Sequence, residues 1–217
     1  MLSCGEFMAD WPGCTVLTIC TGIPPEGTPS SSYDQSCGFP DPEHGIIVRK
    51  DEERRALGLL RARSICADLL DNQYRDTPLF PDRLAVDHII DALLRVRPRR
   101  VLTPLGLVHP DHRGVAWACR EAMFGWAGRD IEWWIYEDLP SRVHDPVAAA
   151  AAIDQMRLSL GYRTGEKVGD GDRLRLVPRG TDHLAEKLIA LGEYGSQSWA
   201  WRMAEVSCPE RLWEVTR

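Results

Sequence analysis

No C-x-x-C pair occurs in this 217-residue chain, although it contains seven cysteines: Cys4, Cys14, Cys20, Cys37, Cys66, Cys119 and Cys208. The odd number and the scatter exclude a disulfide framework and a Cys-rich zinc site, and they fit a reducing compartment. No apolar run approaches the roughly 18 residues of a membrane-spanning helix. The first residues lack a basic n-region and an apolar h-region, so no signal peptide is expected. No basic block exceeds a few residues and the net charge is −6, which argues against a nucleic-acid binder. The densest basic stretch, Arg95 to Arg100, reads as a solvated helix end and the loop before a strand. No strand is followed by G-x-G-x-x-G or G-x-x-x-x-G-K, so a nucleotide-binding α/β protein is disfavoured. There is no internal repeat. The expectation is a cytoplasmic protein with one domain over residues 1–217 and one sizeable core.

What is present is an alternation of strands and helices. Residues 14–21 are β-rich and apolar, bounded by Gly13 and Gly22, and predict a buried strand. Residues 22–47 are rich in Gly, Pro, Ser and Asp and predict a long loop. Helical spacing follows over 48–66, with Ala56, Leu59 and Leu60 on one face. Residues 82–96 predict an amphipathic helix, 100–104 a strand, and 112 onward another helix. A strand at 131–136, an Ala-rich helix at 146–158, a weaker strand near 172–177 and a helix at 181–194 complete the pattern. The prediction is a Rossmann-like three-layer α/β sandwich with a mainly parallel sheet. In such sheets ligands bind beyond the carboxyl ends of the strands. Four polar clusters fall there: Thr21-Gly22, Asp71 to Arg75, His109 to His112, and Glu137-Asp138.

His109-Pro110-Asp111-His112 carries the most chemistry. Two imidazoles flank a carboxylate at the start of a helix, where Pro is tolerated and negative charge is favoured. One His can act as a metal ligand. The other can act as a proton-transfer or oxyanion-stabilising group, its tautomer set by Asp111. The other histidines are weaker: His88 lies on an apolar helical face, and His44, His144 and His183 are expected in solvent. Arg49 and Glu52 are spaced for an i, i+3 ion pair, or Arg49 reaches a substrate hydroxyl or phosphate. Asp71, Tyr74 and Arg75 suit either a turn or a sugar-binding edge. Aromatic segments at Trp133-Trp134 and Trp199 to Trp201 are candidates to shape a pocket, although Trp in such elements is more often core.

Taken in order, the residues resemble the PIG-L/LmbE-like deacetylase family, the superfamily of N-acetylglucosaminyl-phosphatidylinositol de-N-acetylase. The resemblance rests on a strand ending in Thr21-Gly22, Arg49-x-x-Glu52, Leu69 to Arg75, His109-Pro110-Asp111-His112 and Tyr136-Glu137-Asp138-Leu139-Pro140. It continues with Lys187, Tyr194 to Gln197, and Glu210 to Trp213, and so covers nearly the whole chain. It implies a zinc-dependent hydrolase that removes an acyl group from an N-acylated amino sugar or related small metabolite. It implies His112 as a metal ligand, His109 and Asp111 as the catalytic pair, and Arg49, Asp71 and Tyr74 as substrate contacts. Zinc would lower the pKa of a bound water toward about 7, a carboxylate would take the proton, and His109 would assist at the tetrahedral intermediate.

One part of the family's pattern is absent. The H-x-D-D motif that follows the first strand, supplying two metal ligands and the general base, does not occur in these 217 residues. Leu2 to Glu6 resembles the helix that directly follows that motif. The expectation is therefore that the first strand is missing, that Met1 is an internal methionine, and that the chain as given is catalytically impaired. The zinc site would be incomplete, because catalytic sites usually take three protein ligands. A non-catalytic carbohydrate-binding relative or a truncated remnant is the alternative.

Overall fold

The computed structural model describes residues 3–77, 82–125, 130–163, 173–177, 182–200 and 202–216. Three layers form around two short sheets. The chain runs α1 (Gly5–Asp10), β1 (Thr15–Cys20), α2 (Ser32–Ser36), α3 (Pro42–Leu59) and β2 (Arg63–Leu69), then a 3-10 turn at Asn72–Tyr74. It continues with α4 (Arg83–Val96), β3 (Arg100–Pro104), α5 (Pro110–Gly125), β4 (Glu132–Tyr136), α6 (Leu139–His144) and α7 (Pro146–Arg163). β5 (Leu174–Val177), α8 (Leu184–Leu191), a 3-10 turn at Ser198–Ala200, α9 (Met203–Val206) and β6 (Leu212–Val215) close it.

Local chemistry sets most of these boundaries. Asp82 caps α4 by accepting the Leu84 N–H, and the helix ends at Arg97 in the left-handed region. Its buried stripe is Ala85, Val86, Ile89, Ala92 and Leu93, a helical period. α3 begins well before residue 48. Asp41 caps it by accepting the His44 N–H, and Pro42 occupies the first turn. It also ends earlier than 66. Arg61 takes a positive φ of 53°, and the next residues form β2, in which Ala67 and Leu69 are buried while Cys66 and Asp68 are exposed. The long loop 22–47 is thus partly helical, and the helix over 48–66 is a helix followed by a strand. Residues 172 and 181, part of the strand and helix read from the sequence, lie outside the described residues, as do the side chains of Trp199 and Trp201.

β1 pairs with β2 in parallel, and β3 pairs with β4 in parallel. β6 joins β4 antiparallel and carries β5 on its other edge, a return that the sequence pattern does not predict. The Asn72 N–H, just past β2, donates to Asp111 just past β3 at 3.0 Å. Trp11, before β1, lies under the Arg100 guanidinium at the start of β3, 4.7 Å from its centroid. The four parallel strands therefore point the same way and share one carboxyl rim.

Two apolar clusters cover opposite sheet faces. Ile19, Leu69, Ile89, Leu93, Ala118, Trp133 and Ile135 pack with α4, α5 and α7 on one face. Met8, Ala56, Leu57, Leu60 and Ala190 pack α1, α3 and α8 on the other. β1 alternates between them: Leu17 and Ile19 meet the first cluster, Cys14 and Val16 the second. Trp133 is thus core. Trp134 packs against Phe7 (5.7 Å between centroids) and under Arg100. No described helix is long and apolar enough to cross a membrane.

Ile135 is fully buried at the centre of the larger cluster. Ile135→Ala is expected to cost about 2–5 kcal/mol in urea unfolding, and a loss below about 1 kcal/mol would contradict this packing.

Candidate active site

The carboxyl rim is organised by Asp138, which follows β4 and is almost fully buried. Its Oδ2 accepts the N–H groups of Gly106 (3.0 Å) and Leu107 (3.1 Å), in the loop between β3 and α5. Its Oδ1 lies 2.8 Å from Nδ1 of His112, in the first turn of α5. Gly106 is required here. Its φ is +80°, and an added Cβ would lie 2.4 Å from the Ala116 Cβ and 2.9 Å from the His112 carbonyl oxygen. Only a glycine lets this loop lie on α5 while its N–H groups point at Asp138.

The carboxylate decides the state of His112. Burial pulls the imidazolium down, but the hydrogen bond and charge of Asp138 outweigh it and hold the imidazole above its usual value. With Nδ1 bound to Asp138, Nε2 is left facing outward, the arrangement by which proteins orient an imidazole for metal binding or proton transfer.

His109 and His112 are neighbours, 5.2 Å between ring centroids. Asp111 does not hydrogen-bond the His109 ring through its carboxylate, because the separation is 3.9 Å. Instead the Asp111 backbone N–H donates to His109 Nδ1 at 3.3 Å. That contact assigns the neutral His109 its proton on Nε2, on a half-exposed ring, so Nε2–H is available as a donor. The Asp111 side chain turns inward. Its Oδ2 accepts the Asn72 N–H, and its Oδ1 is buried with no hydrogen-bond partner among the described residues. Burial pushes the Asp111 carboxyl above its ordinary range, Asp71 adds to this, and the Asn72 N–H opposes it.

Asp71 caps the 3-10 turn by accepting the Gln73 N–H at 3.1 Å. Tyr74 and Arg49 meet at a residue not singled out in the sequence. The Tyr74 hydroxyl and the Arg49 guanidinium both donate to Asp34, which is fully buried. Ser31 completes the group: its N–H donates to the Tyr74 oxygen at 3.2 Å, and its hydroxyl accepts the Asp34 N–H at 3.0 Å. Arg49 also lies over the Phe39 ring, and its Nη2 is buried without a hydrogen-bond partner among the described residues. The Arg49–Glu52 ion pair is not made. Glu52 turns the other way and accepts the Ser196 N–H (2.7 Å) and hydroxyl (2.6 Å).

The turn at 71–74 thus joins two groups, His109–Asp111–His112–Asp138 on one side and Arg49–Asp34–Tyr74 on the other. In the sequence Asp138 stood out as a polar strand end and as part of the Tyr136-Glu137-Asp138-Leu139-Pro140 motif, with no role assigned to it. Asp34 lies in a Ser- and Pro-rich stretch and carried no signal. His183 is not simply solvated: Nε2 lies 2.8 Å from Asp10 and Nδ1 3.3 Å from Glu186.

A zinc ion does not fit the donor set present. Among the described residues no group of three His, Cys, Asp or Glu side chains converges on a point. His112 offers one nitrogen, and Asp138 is committed to it and to two backbone N–H groups.

Two variants test this geometry. Asp138→Asn removes the charge and hydrogen bond that raise His112, so its NMR titration midpoint in metal-free protein should fall. Stability from this pair is present below the unfolded imidazole value and is lost as pH rises through the folded one. An unchanged midpoint would sever His112 from Asp138. Asp34→Ala leaves the Arg49 cation partly buried and unpaired, and should cost about 3 kcal/mol in denaturant unfolding.

No protein-family model and no curated protein matches the chain. Solved structures do. A zinc-inhibited form of teicoplanin deacetylase superposes with TM-score 0.72 at 19% identity, over 100% of this chain and 93% of that one. An A40926 pseudoaglycone deacetylase gives 0.65 at 20% identity, over 99% and 90%. N,N'-diacetylchitobiose deacetylase from Pyrococcus horikoshii gives 0.52 at 17% identity, over 90% and 65%. With its parallel strands and helices on both sides, this chain has the fold of these deacetylases.

Proposed function

We propose that this chain is an N-deacetylase-type amide hydrolase for an N-acylated amino sugar or related small metabolite. Its 217 residues would carry the substrate-binding and proton-transfer side of a zinc-dependent site and be deficient in turnover on their own. The observation that carries this reading is the shared rim. The His112–Asp138 pair and the His109 ring stand beside Asp111, and the turn at 71–74 links them to Arg49 and Tyr74. The neighbours in fold are deacetylases of teicoplanin, of the A40926 pseudoaglycone and of N,N'-diacetylchitobiose.

In this reading Arg49, held by Asp34, and Tyr74 recognise substrate oxygen atoms, with Asp71 shaping the turn between them and the histidines. His109 presents Nε2–H to the oxygen that gains charge as an amide carbonyl becomes tetrahedral, or to the leaving amine. His112, polarised by Asp138, is the residue suited to a metal. Zinc held by His112 and further ligands would supply Lewis-acid polarisation of the carbonyl and an acidified water. No step is assigned to it, since the described residues do not complete its ligand set. A carbohydrate-binding relative without catalysis is a second reading, favoured by that same incomplete set.

Titration with N,N'-diacetylchitobiose followed by NMR tests the binding half. Side-chain signals of His109, His112 and Arg49 should shift and saturate, and Arg49→Ala should weaken binding about ten-fold, or about 1.4 kcal/mol. Signals that do not move would end the sugar-site reading. Acetate release should stay at background with added zinc and appear only when an H-x-D-D-bearing segment is fused ahead of the chain. Release by the 217 residues alone would overturn the deficiency, and its absence from the fusion would favour the non-catalytic reading.

A further inference from the structure

The Thr21-Gly22 pair at the end of β1 acts on its neighbouring strand, β2. The two strands keep a regular parallel register from Thr15 beside Arg63 to Thr18 beside Cys66, and then Cys20 stands beside Leu69. One residue of β1, Ile19, is thus passed by two of β2, Ala67 and Asp68. That is a β-bulge on β2 at its carboxyl end. Asp68 takes a φ of 55°, in the left-handed region, which Asp enters more readily than most residues.

Contacts from three segments hold the bulge. The buried Thr21 hydroxyl accepts the Asp68 N–H at 3.0 Å and donates to the Asp68 Oδ1 at 3.3 Å. Gly22 donates its N–H to the Leu69 carbonyl at 2.8 Å, and a Cβ at 22 would lie 2.4 Å from the Asp68 carbonyl oxygen. From α3, the Lys50 Nζ reaches Asp68 Oδ1 at 2.9 Å. In an unbulged pair Cys20 would stand beside Asp68. Every later residue of β2 would then lie one position, about 3.3 Å, further out along the strand. The Asn72 N–H contact with Asp111, at 3.0 Å, and the Tyr74 contact with Asp34 would not survive that displacement.

We propose that Thr21, Gly22 and Asp68 form a latch that sets the height of the 71–74 turn. Thr21 and Asp68 are then positioning residues for the substrate site, acting through Asn72 and Tyr74. Lys50 directly follows Arg49 in α3, so the same carboxylate also ties down the helix that carries Arg49. Valine has nearly the shape of threonine, so packing alone would not select a hydroxyl at 21. The latch itself rests on the strand register, and its effect on binding rests on the sugar-site reading above.

The test compares Thr21→Val with Thr21→Ser in the full chain. Amide exchange of Asn72 is read against that of Ile89 and Ile135 in the core, and NOEs report whether Cys20 stands beside Leu69 or Asp68. Thr21→Val should speed exchange at Asn72 by about ten-fold or more with the core amides unchanged, and Thr21→Ser should keep wild-type protection. Affinity for N,N'-diacetylchitobiose should fall about five-fold in Thr21→Val and recover in Thr21→Ser. If valine at 21 prevents folding, Asp68→Gly and Asp68→Val decide. Glycine adopts the left-handed backbone and should keep the register and the Asn72 protection, whereas β-branched valine should lose both. Unchanged Asn72 protection in the valine variants would overturn the latch. So would exchange that speeds equally at Asn72 and in the core, or sugar affinity that stays constant while Asn72 is released. If the wild-type chain binds no sugar, the sugar-site reading alone fails, and the latch is judged by register and Asn72 exchange.

Discussion

Asp138 is a buried carboxylate whose two oxygens hold partners from two other segments, the N–H groups of Gly106 and Leu107 and the ring of His112. A carboxylate in this position is stable only if its charge is answered, and here three donors answer it. The cost of leaving it unsatisfied links the end of β4 to the loop after β3 and to the first turn of α5. The orientation of His112, the position of His109 three residues earlier, and the need for glycine at 106 all follow from that one requirement.

A second buried carboxylate works the same way on the substrate side. Asp34 has no solvent exposure and is answered by Arg49 and Tyr74, which come from α3 and from the turn after β2. The loop that carries Asp34 is thereby fastened to the rim. The turn at 71–74 connects both carboxylate-centred groups, because Asn72 reaches Asp111 while Tyr74 reaches Asp34. The candidate site is thus two charge-satisfied clusters joined by a short turn, and its apolar sheet serves mainly to bring their segments to one edge.

Among the described residues the strands form two sheets, β1-β2 and β3-β4-β6-β5. Parallel strands depend on ladder partners at both edges, and β1 and β3 each lack one toward the cavity between them. α1 and α4 close the two faces of that cavity.

Much of this was legible in the sequence. Apolar periodicity located α4, β3 and β4, and the H-P-D-H run located the start of α5, because those patterns are local. Local rules failed where tertiary contacts took over. The helix read at 48–66 splits after Leu59, since β2 gains a parallel partner in β1 that helical spacing does not reveal. The Arg49-x-x-Glu52 spacing suggested one ion pair and yields two unrelated contacts, to Asp34 and to Ser196. By itself the sequence determined the run of elements from α4 to β4, the residue types at the rim and the absence of an H-x-D-D motif. Only the tertiary structure decided which carboxylate orients which imidazole or guanidinium, because those partners lie 15 to 40 positions apart and a buried charge selects its donors through space.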